Sequence, residues 1–196
     1  MPKPRLVILA GPNGAGKTTV SKYVLPEGYG INEFVNADRI AVGLSAFAPE
    51  SVAFEAGRIM LKRIDSLIEQ RSSFAFETTL ASRTIANTIE SARRVGYEVV
   101  LLYIALPTVT QAKRRVASRV KEGGHAIAPE IIERRFYRSV ANLIYRYRTL
   151  VDSWFVYDNS YMGSPKLIAF GFDVVENVLE ERKWRRLKTL AKRNQP

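Results

Sequence analysis

Gly11-Pro12-Asn13-Gly14-Ala15-Gly16-Lys17-Thr18 satisfies G-x-x-x-x-G-K-[ST] at every fixed position. It follows the apolar run Leu6-Val7-Ile8-Leu9-Ala10 and precedes a helical segment at 17–25. A buried strand, a glycine-rich turn and a helix in that order form the frame that cradles a phosphate on backbone N–H groups. In such a frame Lys17 reaches the β- and γ-phosphates and Thr18 offers its hydroxyl to Mg²⁺. The predicted nucleotide-binding set is therefore Gly11, Pro12, Asn13, Gly14, Ala15, Gly16, Lys17, Thr18 and Thr19.

The rest of the chain alternates short apolar runs with amphipathic stretches. Strands are predicted at 33–36, 73–76 and 97–106, with weaker ones near 154–157 and 167–170. Helices are predicted at 49–71, 82–95, 108–122 and 129–149, followed by a basic C-terminal helix. Strands separated by helices favour a mostly parallel α/β sheet with right-handed crossovers. The expected architecture is a three-layer P-loop fold, with the helices at 108–122 and 129–149 as a lid hinged at Gly123-Gly124. No linker or repeat divides the sequence, so one domain over 1–196 is expected.

Composition removes several classes. A hydrophobic fraction of 46% rules out wholesale disorder, and the lack of cysteine removes disulfides, thiolate metal sites and Cys nucleophiles. No apolar run approaches the roughly 18 residues of a spanning helix. Five apolar residues after Arg5 are too few for a signal peptide, so a cytoplasmic protein is expected. The formal charge of +11 is unevenly placed. Residues 111–148 carry ten Lys or Arg against three Glu, and residues 181–196 carry seven against one. Nucleic acid, a membrane surface or a polyphosphate ligand could each account for such segments.

No S-G-G-Q or N-K-x-D element is present, which argues against an ABC-type ATPase and a GTPase. The nearest motor-type acidic strand, Phe74-Ala75-Phe76-Glu77, ends in one Glu followed by two Thr. A small kinase remains. Ligands in parallel sheets bind at the carboxyl ends of strands, which singles out Asp38 and Glu77. Asp38 is a candidate to orient an acceptor hydroxyl and take its proton, or else to cap the helix that follows. Glu77 is a candidate to hold a Mg²⁺ water or a substrate hydroxyl. Thr79 and Arg83 lie just beyond as substrate contacts, with helix capping the alternative for Thr79. Arg114, Arg115, Arg119, Arg134, Arg135 and Arg138 form the first basic block, where a phosphate role is expected of the block as a whole. His125, the sole histidine, is read as a structural or positioning residue. Tyr137, Tyr145 and Tyr147 are read as packing residues. Trp184, Leu187 and Leu190 give the tail one apolar edge, predicting a helix packed on the body with a solvated basic face.

These segments together resemble the zeta-toxin-like family of P-loop kinases. The resemblance rests on G-P-N-G-A-G-K-T at 11–18, F-V-N-A-D-R-I-A at 34–41, F-E-T-T-L-A-S-R at 76–83, R-V-x-x-G-G-H-x-I-x-P-E at 119–130 and Arg134-Arg135-Phe136. It implies an ATP- and Mg²⁺-dependent kinase whose best-known acceptor is the amino sugar of UDP-N-acetylglucosamine, with an antitoxin protein as partner. By the same resemblance Asp38 matches the acceptor-activating Asp, Glu77 and Thr79 the substrate-holding pair, and Arg119 and Arg135 the γ-phosphate arginines, with Arg134 the alternative to Arg135. The best-known toxins carry an Arg where this chain has Ala81, and Arg83 lies two residues on. The E-T-T-L-x-x-R form is closer to a less characterised branch, so the chemistry is more firmly implied than the acceptor. Two further readings stay open: a polynucleotide 5′-kinase that uses the basic segments as a track, and a non-catalytic, nucleotide-gated module that binds RNA or protein.

Overall fold

The computed structural model describes residues 3–124, 126–161, 164–172 and 175–195. Seven strands among them form one sheet: β1 (Arg5–Ala10), β2 (Phe34–Val35), β3 (Phe74–Thr78), β4 (Glu98–Ala105), β5 (Ser153–Asp158), β6 (Lys166–Phe172) and β7 (Val175–Val178). Their order is β2-β3-β1-β4-β5-β6-β7. The first five run parallel, whereas β6 and β7 add an antiparallel edge. β1 and β4 lie at the centre, and Leu6–Ala10 and Val99–Ala105 are buried throughout. Parallel strands covered on both faces read as unbroken apolar runs, which is why these two are the plainest in the sequence.

Helices α1 (Lys17–Tyr23), α2 (Ala37–Leu44), α3 (Ala53–Glu69), α4 (Ile85–Arg94), α5 (Val109–Lys121), α6 (Pro129–Tyr145) and α7 (Glu181–Ala191) pack around the sheet. Strand register puts Leu102 beside Phe155 and Ile104 beside Tyr157 on one face, with Leu101 beside Trp154 on the other. Val20 and Tyr23 of α1 share a cavity with Leu102, Ile104 and Tyr157. Trp184 of α7 stacks on Trp154 from the opposite face, ring centroids 5.6 Å apart. Three layers result.

Local differences from the expected elements have local causes. The first helix gives way at Val24 to a π-turn over Val24–Gly28, at Pro26. The helix expected at 49–71 opens as a 3₁₀ turn over Pro49–Val52. The one expected at 129–149 stops at Tyr145, and a 3₁₀ turn over Tyr147–Thr149 buries Tyr147. α2 and β7 are short elements the periodicity does not mark. The alternative of Asp38 as a helix cap is corrected: Asn36 is the N-cap of α2, its Oδ1 accepting from Arg39 N at 3.1 Å.

α6 begins with Pro129 at its first position and buries Ile132, Phe136, Ser139, Val140 and Leu143. The Tyr103 hydroxyl bonds Ser139 Oγ at 2.9 Å beneath it, so α6 is anchored in the core. The tail packs as expected, with Trp184 and Leu187 buried. Part of its charge is paired with the body of the protein. Lys183 pairs with Asp158, Lys188 with Glu176, and Arg193 donates to the Tyr137 hydroxyl. Among the described residues no helix is long and apolar enough to cross a membrane.

Candidate active site

The loop between β1 and α1 is held against its neighbours at two glycines. Gly11 has φ +143°, and a Cβ there would sit 2.3 Å from the Ile104 carbonyl oxygen of β4. Gly16 has φ +87°, and a Cβ there would sit 2.7 Å from Asn159 Nδ2. Only glycine permits both the conformation and the approach. The Asn159 amide, just past β5, donates to the Ala15 carbonyl at 2.8 Å and braces the loop from behind.

Four polar groups converge at the carboxyl edge of the sheet. Glu77 Oε2, on β3, accepts from Thr18 Oγ1 at 2.8 Å and from Asn36 Nδ2 at 2.9 Å. Its Oε1 lies 3.6 Å from Lys17 Nζ, which also donates to the Pro12 carbonyl at 3.1 Å. Both members of the Lys17–Glu77 pair are nearly buried. Burial lowers the Lys17 pKa from its ordinary 10.5, Glu77 and Asp38 oppose the shift, and Arg119 adds to it. Asp38, exposed on the first turn of α2, therefore acts on the same ammonium as Glu77.

A cavity of about 540 Å³ opens beside this cluster. Gly14, Gly16, Lys17, Thr18, Thr19 and Glu77 form its polar end, and Arg115, Ser118, Arg119 and Glu122 of α5 and its end form one wall. Gly124 shapes that wall. Its N–H caps α5 on the Arg119 carbonyl at 2.8 Å, and a Cβ there would lie 2.6 Å from Arg119 Cγ. The Gly-Gly pair thus leaves room for the Arg119 stem to turn along the helix end.

The other expected residues sit further out. Thr79 is half-buried in the turn after β3, and Arg83 is exposed beyond it; neither lines the cavity. That turn is pinned from outside, since Asn142 Nδ2 donates to the Leu80 carbonyl at 2.8 Å and the Tyr147 hydroxyl to the Ser82 carbonyl at 2.7 Å. Leu80 is held there at φ +59°. Arg135 is half-buried on α6 and Arg134 exposed, and the cavity wall contains neither. Arg115, which does line it, donates to the Ser160 carbonyl at 3.0 Å. His125 lies outside the described residues. The sequence reading missed Asn36 and Asn159, although each directly follows a strand on the ligand edge, a position that could have flagged both.

Thr18 and Glu77 offer hard oxygen donors 2.8 Å apart at the mouth of the loop, a set that suits Mg²⁺ completed by phosphate and water oxygens. Among the described residues no group of three or more His, Cys, Asp or Glu could hold a metal on its own. A shared ligand set of that kind is how Mg²⁺ binds with a nucleotide.

The glycine-rich loop at the carboxyl edge of a mostly parallel sheet defines a P-loop protein of small-kinase architecture. The family model described as Zeta toxin matches residues 45–161, more than half of the chain, and the chain belongs to that family. The matched segment contains Glu77, Thr79, Arg83, Arg119 and Arg135 but neither the loop nor Asp38. An uncharacterized protein of Haemophilus influenzae is 29% identical over 132 residues, covering 67% of this chain and 92% of that protein. Among solved structures, the AvrRxo1-ORF1:-ORF2 complex with ATP superposes with a TM-score of 0.78 at 18% identity, over 94% of this chain and 63% of that one. This chain thus spans less than two thirds of that protein's length. The PezAT chromosomal toxin-antitoxin system of Streptococcus pneumoniae gives 0.64 at 17% identity, over 98% and 86% of the two chains.

Proposed function

We propose that the protein is an ATP- and Mg²⁺-dependent kinase, one domain acting in the cytoplasm, that transfers the γ-phosphate to a hydroxyl of a UDP-amino sugar such as UDP-N-acetylglucosamine. The observation that carries the reading is the convergence of Thr18, Asn36 and Lys17 on the Glu77 carboxylate beside the Gly-rich loop. A nucleotide-gated binding module has no need of an acceptor-activating carboxylate such as Asp38 at the same edge. Family membership and the small-kinase fold point the same way, and the AvrRxo1-ORF1:-ORF2 complex was solved with ATP.

In this reading the loop N–H groups and Lys17 hold the β- and γ-phosphates, and Thr18 with Glu77, the latter through water, would hold Mg²⁺. The ion, when bound, neutralises charge on the phosphate oxygens as transfer proceeds. Asp38 orients the acceptor hydroxyl and takes its proton as the new oxygen–phosphorus bond forms and the bond to ADP breaks. Arg119 faces the transferring group from the end of α5. Glu77, Thr79 and Arg83 position the acceptor, and Arg135, on α6, is the second proposed γ-phosphate arginine. An antitoxin protein is the proposed partner, by analogy with the toxin-antitoxin system among the structural neighbours.

The test is incubation of purified protein with ATP, Mg²⁺ and a panel of UDP-sugars and oligonucleotides, read by product mass. A UDP-amino sugar gaining one phosphoryl group supports the reading. Phosphorylation of oligonucleotide 5′ ends alone, or of nothing, contradicts it.

A further inference from the structure

The basic tail is the sequence feature that the proposed chemistry leaves unused, yet its helix touches the nucleotide side of the molecule through three consecutive residues. Asp158, the last residue of β5, is nearly buried and faces α7, where its Oδ2 lies 3.0 Å from Lys183 Nζ. Its Oδ1 accepts from Ser160 Oγ at 2.5 Å. Asn159, 5% exposed, continues the strand with an N–H bond to the Ala105 carbonyl and donates its side-chain amide to the Ala15 carbonyl of the Gly-rich loop. The Ser160 carbonyl accepts from Gln111 Nε2 at 2.7 Å and from Arg115 at 3.0 Å, both on α5. One turn of chain therefore bonds to the tail helix, the loop and the cavity wall.

Position along the strand explains the arrangement. Asp158 follows Trp154 and Val156 on the face that α7 covers, while Asn159 crosses the sheet edge toward the loop. Ser160 bonds back to Asp158 and closes the turn, which fixes where its own carbonyl points. A carboxylate so nearly buried needs a counter-charge to hold its rotamer. Lys183 is that charge. The bond to Asp158 raises the Lys183 pKa, and Asp158 also opposes the lowering of the Arg115 pKa that burial imposes.

We propose that Asp158-Asn159-Ser160 is a positioning junction for the nucleotide site and that Lys183 of the tail helix sets it. The inference rests on the reading of the cavity as the ATP site. Lys183 touches no nucleotide; it acts through Asp158 on the Gly-rich loop and on Arg115.

The experiment uses the full chain and reads ATP binding by calorimetry rather than turnover, beside the thermal unfolding midpoint of each ligand-free variant. Lys183→Met removes the charge and keeps the stem. It is expected to weaken ATP binding about fivefold or more, within the range of couplings between linked sites. The midpoint should fall by no more than about 4 °C, since the Lys183 end of the pair is part-exposed and Ser160 still bonds the carboxylate. Lys183→Arg should restore affinity to within about twofold, because either cation can meet a carboxylate. Arg186→Met, which removes an equal charge from the solvent face of the same helix, should leave affinity unchanged. Lys183→Met binding like wild type, an equal loss in Arg186→Met, or a loss of affinity that follows a collapse of the midpoint would each overturn the inference. Wild-type protein that binds no ATP overturns the functional reading itself, and this inference with it.

Discussion

Thr18 Oγ1 and Glu77 Oε2 are joined by a 2.8 Å hydrogen bond across 59 residues of sequence. The first residue belongs to the loop motif and the second is the penultimate residue of β3, so the bond locks the two ligand-edge elements together. The same carboxylate opposes the desolvation of Lys17. A single side chain thus couples the hydroxyl proposed for Mg²⁺ with the ammonium proposed for phosphate.

Glu77→Gln removes the negative charge and nearly preserves the shape. Turnover should fall by about 100-fold, as for loss of one preorganised electrostatic group. Lys17, already below its ordinary 10.5 through burial, loses its principal opposing charge and shifts further down. ATP affinity should therefore fall away at lower pH than in wild type as the ammonium deprotonates. Titrations of ATP at a series of alkaline pH values check the direction.

Gly124→Ala places a Cβ 2.6 Å from Arg119 Cγ and 2.7 Å from the Arg119 carbonyl oxygen, so that residue must shift. About a tenfold loss in kcat is expected, together with some loss of stability, because a backbone carbonyl at the end of α5 must also give way. In an Arg119→Ala background the same substitution should add nothing, because the two act through one side chain. A double-mutant cycle on kcat measures this.

Gly11→Ala meets the Ile104 carbonyl oxygen at 2.3 Å with a backbone φ of +143°. Neither the strand nor the dihedral can yield cheaply, so destabilisation of about 3 kcal/mol or more is expected. Urea unfolding gives the value.

Glu176 anchors the tail. Burial raises its pKa, but hydrogen bonds from Trp184 and Lys188 and the Arg148 charge outweigh that and leave it below 4.5. A carboxylate with a depressed folded pKa contributes stability above its unfolded pKa and loses it as pH falls through the folded one. Wild-type stability should therefore decline as pH drops below about 4.5, and Glu176→Gln should flatten that decline. Unfolding midpoints between neutral and acid pH test it.

The loop at 11–18 and Glu77 are legible in the sequence because phosphate chemistry restricts residue type and spacing, and because a parallel sheet presents its strand ends to ligand. β1 and β4 are legible for the related reason that both of their faces are buried. Asn36 and Asn159 escape because an Asn after a strand reads as a turn residue. What distinguishes them is a partner far along the chain, Glu77 in one case and Ala15 in the other. Gly123-Gly124 is visible but reads as a hinge, whereas its second glycine makes room for Arg119. The charge of the tail is visible too. Its paired share, at Lys183, Lys188 and Arg193, depends on acceptors on β5, β7 and α6 that no local pattern announces.

The central claim is that Asp38 takes the acceptor proton in a phosphoryl transfer from ATP. Turnover of a UDP-amino sugar by Asp38→Asn, measured beside its ATP affinity, tests that claim most directly. The account predicts that transfer is lost while ATP binding stays within about threefold of wild type, since Asp38 lies outside the cavity lining and reaches the nucleotide side only through its charge. Near-wild-type turnover in Asp38→Asn would contradict it.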